Sequence, residues 1–356
     1  MKKIYQLKDI IKYSYFVSGL NPIKLFFTYK KFIHYYSNRK FSPEEILLYN
    51  LASNDDSCKY KENIYSNEEY LVIQKKLNPH KSVYMTESKI DFYNLCEIKG
   101  IPTPKTFFHL KKSISTASKP EDINKIIDLT NLLPDGDYIA KPSNGTHGEG
   151  IWGFSKLNDS FQLEDRKTIS RDSFAKYLDL LCRNQSVLIQ ARIRHHSRIE
   201  EFSPSEALQT LRIYSLIDQE ESILLFSMFK QAGDNKLTDN FNMGKNDSTS
   251  WSVDLKTGEL THGYQINSSG YGYKEIPKSV LNINHQATIP YWQETLSLVH
   301  KAANEFLPIK TIGWDVAVTN DGPIIIEGNS FSDPATLLRE YNKLNIYQKL
   351  KEQTEC

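Results

Sequence analysis

Three side chains near the C-terminal end of the chain could gather a cation: Asp315, Glu327 and Asn329, in the segment IGWDVAVTNDGPIIIEGNS at residues 312–330. Two carboxylates and a carboxamide are hard oxygen donors, the kind magnesium takes together with water and substrate phosphate. Their spacing reads as a hairpin: a β-rich run over 312–318, a turn cluster Asn320-Asp321-Gly322-Pro323, and an apolar run Ile324-Ile325-Ile326. Alternation puts Glu327 and Asn329 on one face, and folding about Asp321 lays Asp315 opposite Glu327, with Cβ atoms roughly 5 Å apart. A one-residue slip would turn Asp315 to the other face. The plain alternative is a hairpin with its acids in water. Against that, an unpaired carboxylate half buried beside Trp314, Val316, Ile326 and Gly328 costs several kcal/mol.

Cations that could meet a phosphate lie elsewhere in the chain. The stretch DYIAKPSNGTHGEGIWGF, residues 137–154, predicts two short strands, 138–141 and 151–154, flanking a loop that carries Gly145, Gly148 and Gly150. Glycines allow the backbone N–H groups to close around an anion, and Lys141 at the strand end adds a point charge. The pattern is neither the dinucleotide GxGxxG nor a P-loop, and a plain long hairpin is its structural alternative. Lys89 falls in the first turn of a helix expected over 86–99, where alone it reads as a solvated lysine. Arg212 and Lys230 interrupt apolar strands at 210–217 and 222–231, facing either solvent or an anionic site.

The elements that must position these groups follow from periodicity and punctuation. Further strands are expected at 106–110, 186–193 and 250–255, with turn signals at 218–221, 233–235 and 257–258 that predict a mostly antiparallel sheet. Helices are expected from Ser42-Pro43-Glu44-Glu45 to about residue 53, over 86–99 closed by Gly100, over 121–129 and over 291–306. Residues 54–62 and 262–274 read as connectors, and 239–244 as a polar loop.

The chain has 356 residues, 39% hydrophobic and 24% charged, enough for two or three packed units of an ordinary globular protein. Its net charge of +1 argues against bulk binding of nucleic acid, yet the charge is uneven. Residues 1–40 hold nine Lys or Arg against Asp9 alone, about +8, leaving about −7 for the rest. The same forty residues hold ten aromatics in what reads as two helices split at Gly19 to Pro22. Such helices suit packing on the main body, an anionic membrane surface or a partner helix. Cys58, Cys96, Cys182 and Cys356 form no metal-binding or disulfide pattern, and no run of 18 apolar residues or signal peptide is present, so a cytoplasmic setting is expected, with peripheral contact at the inner membrane face open.

Taken together and in order, Lys89 before Gly100-Ile101-Pro102-Thr103-Pro104, Lys141-Pro142 before a glycine loop, Gln190, Arg212 and the terminal hairpin resemble the ATP-grasp superfamily. Within it, Gln190, His196, Thr210-Leu211-Arg212, Asp239-Asn240-Phe241, Ile289-Pro290-Tyr291-Trp292 and Gly313-Trp314-Asp315 to Glu327-Gly328-Asn329 resemble the sugar-transfer-associated group, a group linked with surface-polysaccharide and capsule assembly. The likeness covers about residues 40–340.

The resemblance implies an α+β fold, two α/β subdomains with largely antiparallel sheets that clasp ATP, preceded by a basic helical region. The divisions would be 1–85, 86–195 and 196–356. It implies that Lys89 and Lys141 contact the nucleotide phosphates and that the loop with Ser143, Asn144, Gly145, Thr146, His147 and Gly148 closes over them. Gln190, Ala191, Arg192 and Ile193 would line the adenine, and His196 would approach the ribose. Asp315, Glu327 and Asn329 would hold magnesium, or manganese in its place, while Arg212 and Lys230 face the reacting groups. The activity implied is an ADP-forming ligase that joins an amine such as an amino acid to a carboxylate such as a uronic acid on a nucleotide sugar or glycan. A peptide ligase, a phosphotransferase and a membrane-docked nucleotide-binding scaffold are the alternatives.

Overall fold

The break expected at Gly19 to Pro22 is where the chain turns in the computed structural model, which describes residues 2–19, 21–52, 64–111, 120–143, 150–183, 185–232, 248–266, 272–281, 287–332 and 345–355. Helix α1 (Lys2–Ser18) ends at Gly19, whose φ of 62° only glycine adopts cheaply. Asn21 then caps α2 (Pro22–Asn38), its side chain accepting from the Ile23 and Lys24 amides. Capping boxes built by Ser42 with Glu45 and by Ser66 with Glu69 open α3 (Pro43–Leu48) and α4 (Asn67–Leu77).

The single helix expected over 86–99 is two: α5 (Tyr84–Glu87) and α6 (Lys89–Ile98). Ser88 sits between them in an extended conformation and accepts from the Asp91 amide, so its hydroxyl starts a new helix instead of continuing the old one. Lys89 is the first residue of α6, in the first turn as expected, though of a helix that starts later.

Among the described residues the strands form two sheets, both antiparallel throughout. The first has β1 (Thr106–Leu110), β2 (Gly136–Pro142), β3 (Trp152–Leu157), β4 (Ser160–Leu163), β5 (Thr168–Ser170) and β6 (Val187–Ala191), in the order β1-β6-β2-β3-β4-β5. Helices α7 (Pro120–Asn131) and α8 (Arg171–Cys182) belong to the same unit, and its core holds Phe154, Phe161 and Phe174, the last two stacked with ring centroids 4.1 Å apart. Strands β4 and β5 and helix α8 were not expected from periodicity.

The second sheet has β7 (Thr210–Asp218), β8 (Glu221–Gln231), β9 (Thr249–Val253), β10 (Leu260–Ile266), β11 (Tyr273–Ile276), β12 (Thr311–Thr319) and β13 (Gly322–Asn329), in the order β11-β10-β9-β8-β7-β12-β13. Residues 262–274, expected to be a connector, instead supply much of β10 and the start of β11, and 267–271 lie outside the described residues. Helices α9 (Ser197–Phe202) and α10 (Trp292–Glu305) precede β7 and β12, and α11 (Ile346–Glu352) closes the chain.

Alternation along β7 sorts its two faces. Leu211 and Ile213 join a core with Phe92 of α6, Phe306 and Trp314, whereas Tyr214 and Leu216 join Ile10, Phe32 and Tyr70 from the N-terminal helices and Phe41 from the link between α2 and α3. Packing on the body, one of the expectations for residues 1–40, is therefore present for part of their surface. Trp314 is wholly buried, edge-on to Phe306 with centroids 5.2 Å apart, and its indole donates to Ser215 Oγ at 2.8 Å. Truncating it to alanine would cost about 3–5 kcal/mol.

Candidate active site

The hairpin β12–β13 is built on a two-residue turn, Asn320-Asp321, with Thr319 paired to Gly322. A regular ladder from that turn would lay Asp315 opposite Ile326. The register instead shifts between Asp315 and Val316, a bulge that brings Asp315 opposite Glu327 and Gly313 opposite Asn329. The expected pairing of the two acids is present, and the bulge at Ile326, not a turn centred on Asp321, produces it.

On its other side β12 pairs Asp315 with Arg212 of β7. Arg212 holds the carboxylate with both arms, Nε to Oδ1 at 2.6 Å and Nη2 to Oδ2 at 3.1 Å, and Lys230 Nζ reaches Oδ1 at 3.2 Å. Burial alone would raise the Asp315 carboxyl, but Arg212 and Lys230 overcome it and hold the group at about 2. Arg212 also donates from Nη1 to Ser332 Oγ at 2.9 Å. The contact needs Gly313, since a Cβ there would sit 2.3 Å from Ser332 Oγ and 3.2 Å from Arg212 Cδ.

The chain leaving β13 is fixed from below by α4 and the residue after it. Gln74 Nε2 donates to the Ser332 carbonyl and to Tyr214 Oη, each at 2.8 Å, and Asn78 Nδ2 donates to the carbonyls of Ser330 and Thr311 at 2.7 and 2.9 Å. Buried amides that reach the backbone in this way tie the hairpin to one position.

At the edge strand β13 a second cluster meets the first sheet. Lys89 Nζ stands 3.8 Å from Glu327 Oε1. Lys141, at the end of β2 and buried, donates to Tyr93 Oη at 2.6 Å, and Tyr93 donates in turn to the Ile326 carbonyl at 2.7 Å. That carbonyl belongs to the bulged residue, so the irregularity that aligns the acids also supplies Tyr93 with an acceptor. Burial pushes Lys141 down to about 8, with Glu327 pulling the other way. Burial also lowers Lys89, with Glu327 and Lys141 acting on it in opposite senses, and raises Glu87, which Glu327 raises further. Glu87 and Tyr93 were missed in the sequence because nothing in a helical pattern marks which residues face a strand bulge.

The structure forms two groups, Arg212 and Lys230 on Asp315, and Lys89 beside Glu327 with Lys141 on Tyr93, and the ladder sets them side by side by pairing Asp315 with Glu327, with Asn329 next on the Glu327 face. Asn329 Nδ2 points to the Gly313 carbonyl at 3.4 Å, leaving its Oδ1 as the acceptor. Ser143 lies buried at the end of β2, its amide bonded to the Ser186 carbonyl at 2.9 Å. Asn144, Gly145, Thr146, His147 and Gly148 lie outside the described residues, as does the 239–244 loop. On β6, Gln190 is buried and donates to Thr106 Oγ1 at 2.8 Å. The amides of Ala191 and Arg192 are taken by the carbonyls of Lys105 and Asp137, so neither is left to donate to the adenine expected beside them, and the Arg192 guanidinium turns to Glu206. Ile193 follows β6 and is half-buried. His196 is not drawn into the cluster: it caps α9, its Nδ1 accepting from the Arg198 amide at 3.0 Å, and its ring lies against Tyr291 near the hairpin turn.

Among the described residues no three acids, histidines or cysteines converge as a self-sufficient metal cage. Two carboxylates and an amide oxygen are a partial shell of hard donors, suited to a magnesium ion that keeps water and substrate phosphate as its remaining ligands. Asp315 fits less completely than Glu327, since Arg212 and Lys230 already occupy both of its oxygens.

No curated protein matches the chain. Solved structures similar to it include D-alanyl-alanine synthetase A of Vibrio cholerae (10% identity, TM-score 0.44, 78% of this chain and 68% of that one). A D-cycloserine synthetase shares 13% identity at TM-score 0.42, covering 81% of this chain and 79% of that one. An L-amino acid ligase from Bacillus licheniformis shares 12% at TM-score 0.40, and the match covers 76% of this chain but about half, 49%, of the ligase. The family model described as sugar-transfer associated ATP-grasp matches residues 65–350, most of the length of the chain. The chain belongs to the sugar-transfer associated ATP-grasp family.

Proposed function

We propose that the protein is an ATP- and magnesium-dependent carboxylate–amine ligase, joining an amino acid or similar amine to a carboxylate such as a uronic acid on a nucleotide sugar or glycan. The observation that carries this reading is the meeting of four cationic side chains, Lys89, Lys141, Arg212 and Lys230, with Asp315 and Glu327 where β13 approaches the end of β2. A triphosphate needs such a concentration of positive charge, and an acyl transfer that passes through phosphate needs no protein nucleophile.

In this reading Lys89 and Lys141 grip the nucleotide phosphates. Glu327 and Asn329, with Asp315 sharing its oxygens between the metal and Arg212 and Lys230, would hold magnesium, which would neutralise phosphate charge. The acceptor carboxylate oxygen attacks the γ-phosphorus and ADP leaves. The amine nitrogen then attacks the acyl carbon, phosphate departs with the C–O bond electrons, and the amine proton is lost to solvent or phosphate. Arg212, fixed by Asp315 and Ser332, directs its guanidinium towards the oxyanion of that second step, with Lys230 beside it. Preorganised charge of this kind acts without reorganising when the reaction occurs.

The test is incubation of the full chain with ATP, magnesium, mixed amino acids and uronic-acid nucleotides, followed by mass analysis. ADP and phosphate released with a product lighter than its two substrates by one water support the ligase. Phosphate kept on the acceptor identifies a phosphotransferase and overturns it, and an amino-acid dimer places the carboxylate on an amino acid instead.

A further inference from the structure

The pair α1–α2 lies outside residues 65–350, the span shared with the family, and only part of its surface is used for packing. Ile10 and Phe32 enter the core, but Ile11, Tyr15 and Phe16 of α1 and Ile23, Phe26 and Phe27 of α2 are exposed, Ile23 at 71% and the two phenylalanines at 54% and 52%. Part of this set lines an apolar groove of about 290 Å³ between the helices, formed by Ile11, Tyr15, Pro22, Leu25, Phe26 and Tyr29. Isolated surface apolars need no explanation, whereas a contiguous set around one helix connection does.

We propose that this face docks the protein on an anionic lipid bilayer. Lys8, Lys12, Lys24, Lys30 and Lys31 are distributed over the same two helices, with Asp9 the acid among residues 1–40. Lys30 Nζ lies 4.5 Å from the centroid of the Phe26 ring, an amine stationed directly beside an exposed aromatic. Lysines with aromatics and aliphatics on one pair of helices is the composition of elements that lie in the headgroup region, where rings enter the acyl boundary and amines meet lipid phosphates. Protein interfaces, by contrast, are depleted of lysine at their centres, and a second copy of this chain would bring like charge against like. Among the described residues no helix is long and apolar enough to cross a bilayer, so the element lies on the surface and does not span it.

The surface is separate from the cluster around Asp315, and its test needs no catalytic turnover. Full-length protein is floated with vesicles of phosphatidylcholine alone or with phosphatidylserine added, at low and high salt. Flotation with the anionic vesicles, weakened by salt, is expected. Phe26→Ser/Phe27→Ser and Lys24→Glu/Lys30→Glu should each lower the bound fraction by about tenfold or more, since one removes inserted area and the other the attraction to headgroups. Both change exposed side chains, and an unaltered circular dichroism spectrum checks the fold. Absence of flotation, equal flotation on neutral vesicles, or indifference to both double variants would overturn the proposal. A lipid-free dimer abolished by Phe26→Ser/Phe27→Ser would overturn it too, by assigning the face to a second copy of the chain.

Discussion

Asp315 and Arg212, neighbours across β12 and β7, are joined by two parallel hydrogen bonds at 2.6 and 3.1 Å, with Lys230 completing the same carboxylate at 3.2 Å. Two cations on one acid leave a net positive surface at that end of the sheet once Asp315 is ionised, which is the condition for drawing in a phosphoryl or acyl oxyanion.

The carboxylate has a structural part besides the one proposed for it in the reaction. Asp315→Asn leaves Arg212 and Lys230 close together and under-compensated, a loss expected to cost about 3 kcal/mol, the low end of the buried-pair range because 20% of the Arg212 side chain stays exposed. A fall in the urea midpoint, with activity lost, is the expected result; an unchanged midpoint would show that the pair contributes nothing to stability. The sign with pH follows from Asp315 being held at about 2. Its contribution is complete above the ordinary carboxylate range near pH 4 and disappears as pH falls towards about 2.

Glu327 should behave differently. It faces Lys89 at 3.8 Å with a third of its side chain exposed, so replacing it removes little packing. Glu327→Gln is expected to reduce turnover on the order of 100-fold or more while stability changes by less than about 1 kcal/mol. Magnesium titration of turnover in the two proteins checks the assignment: the variant should need more metal, and identical metal dependence with full activity would remove Glu327 from the metal shell.

The contrast between the two acids shows what a sequence can and cannot convey here. Their pairing was legible because the alternation in WDVAV and the Asn-Asp-Gly-Pro turn constrain the register to within one residue. The last residue of register was supplied by the bulge at Ile326, which has no signature in a run of three isoleucines. Arg212 stood out as a charge in an apolar strand, but whether it met solvent or an acid depended on β12 lying beside β7, a pairing across about a hundred residues. Ser88 has the residue type of a cap, but with Thr86 two residues before it the sequence offers two hydroxyls that could start the helix, and only the fold selects Ser88. Gln74 and Asn78 could not have been found, since a polar residue within a helix or just after it gives no sign that it reaches the backbone after β13.

The Lys141 ammonium provides a pH test. Burial brings it to about 8, so its charge is present at neutral pH and falls away as pH rises through that value. Affinity for ATP, measured by calorimetry, is expected to weaken above about pH 8, by at most about tenfold per unit for a single proton. Lys141→Arg keeps its charge throughout this range, so the alkaline weakening should disappear or move well upward in that variant. A decline of equal slope in both proteins would assign it to another group, with Lys89, also pushed down by burial, the next to examine.

Tyr93 connects Lys141 to β13 through its hydroxyl, which accepts from Nζ at 2.6 Å and donates to the Ile326 carbonyl at 2.7 Å. Tyr93→Phe preserves the ring that packs beside Phe92 and removes only this oxygen. The bulge carbonyl then loses a buried donor and Lys141 an acceptor, together about 1–3 kcal/mol. If Tyr93 were merely a core residue, the loss would appear in stability alone. As a positioning residue it must also act on nucleotide binding, because a lysine no longer held in place spends binding energy on ordering its own side chain. The expected result is a weakened affinity for ATP at pH 7, on the order of tenfold, measured under conditions where wild type and variant are both fully folded. Equal affinities there would confine Tyr93 to packing and leave Lys141 positioned by the strand alone.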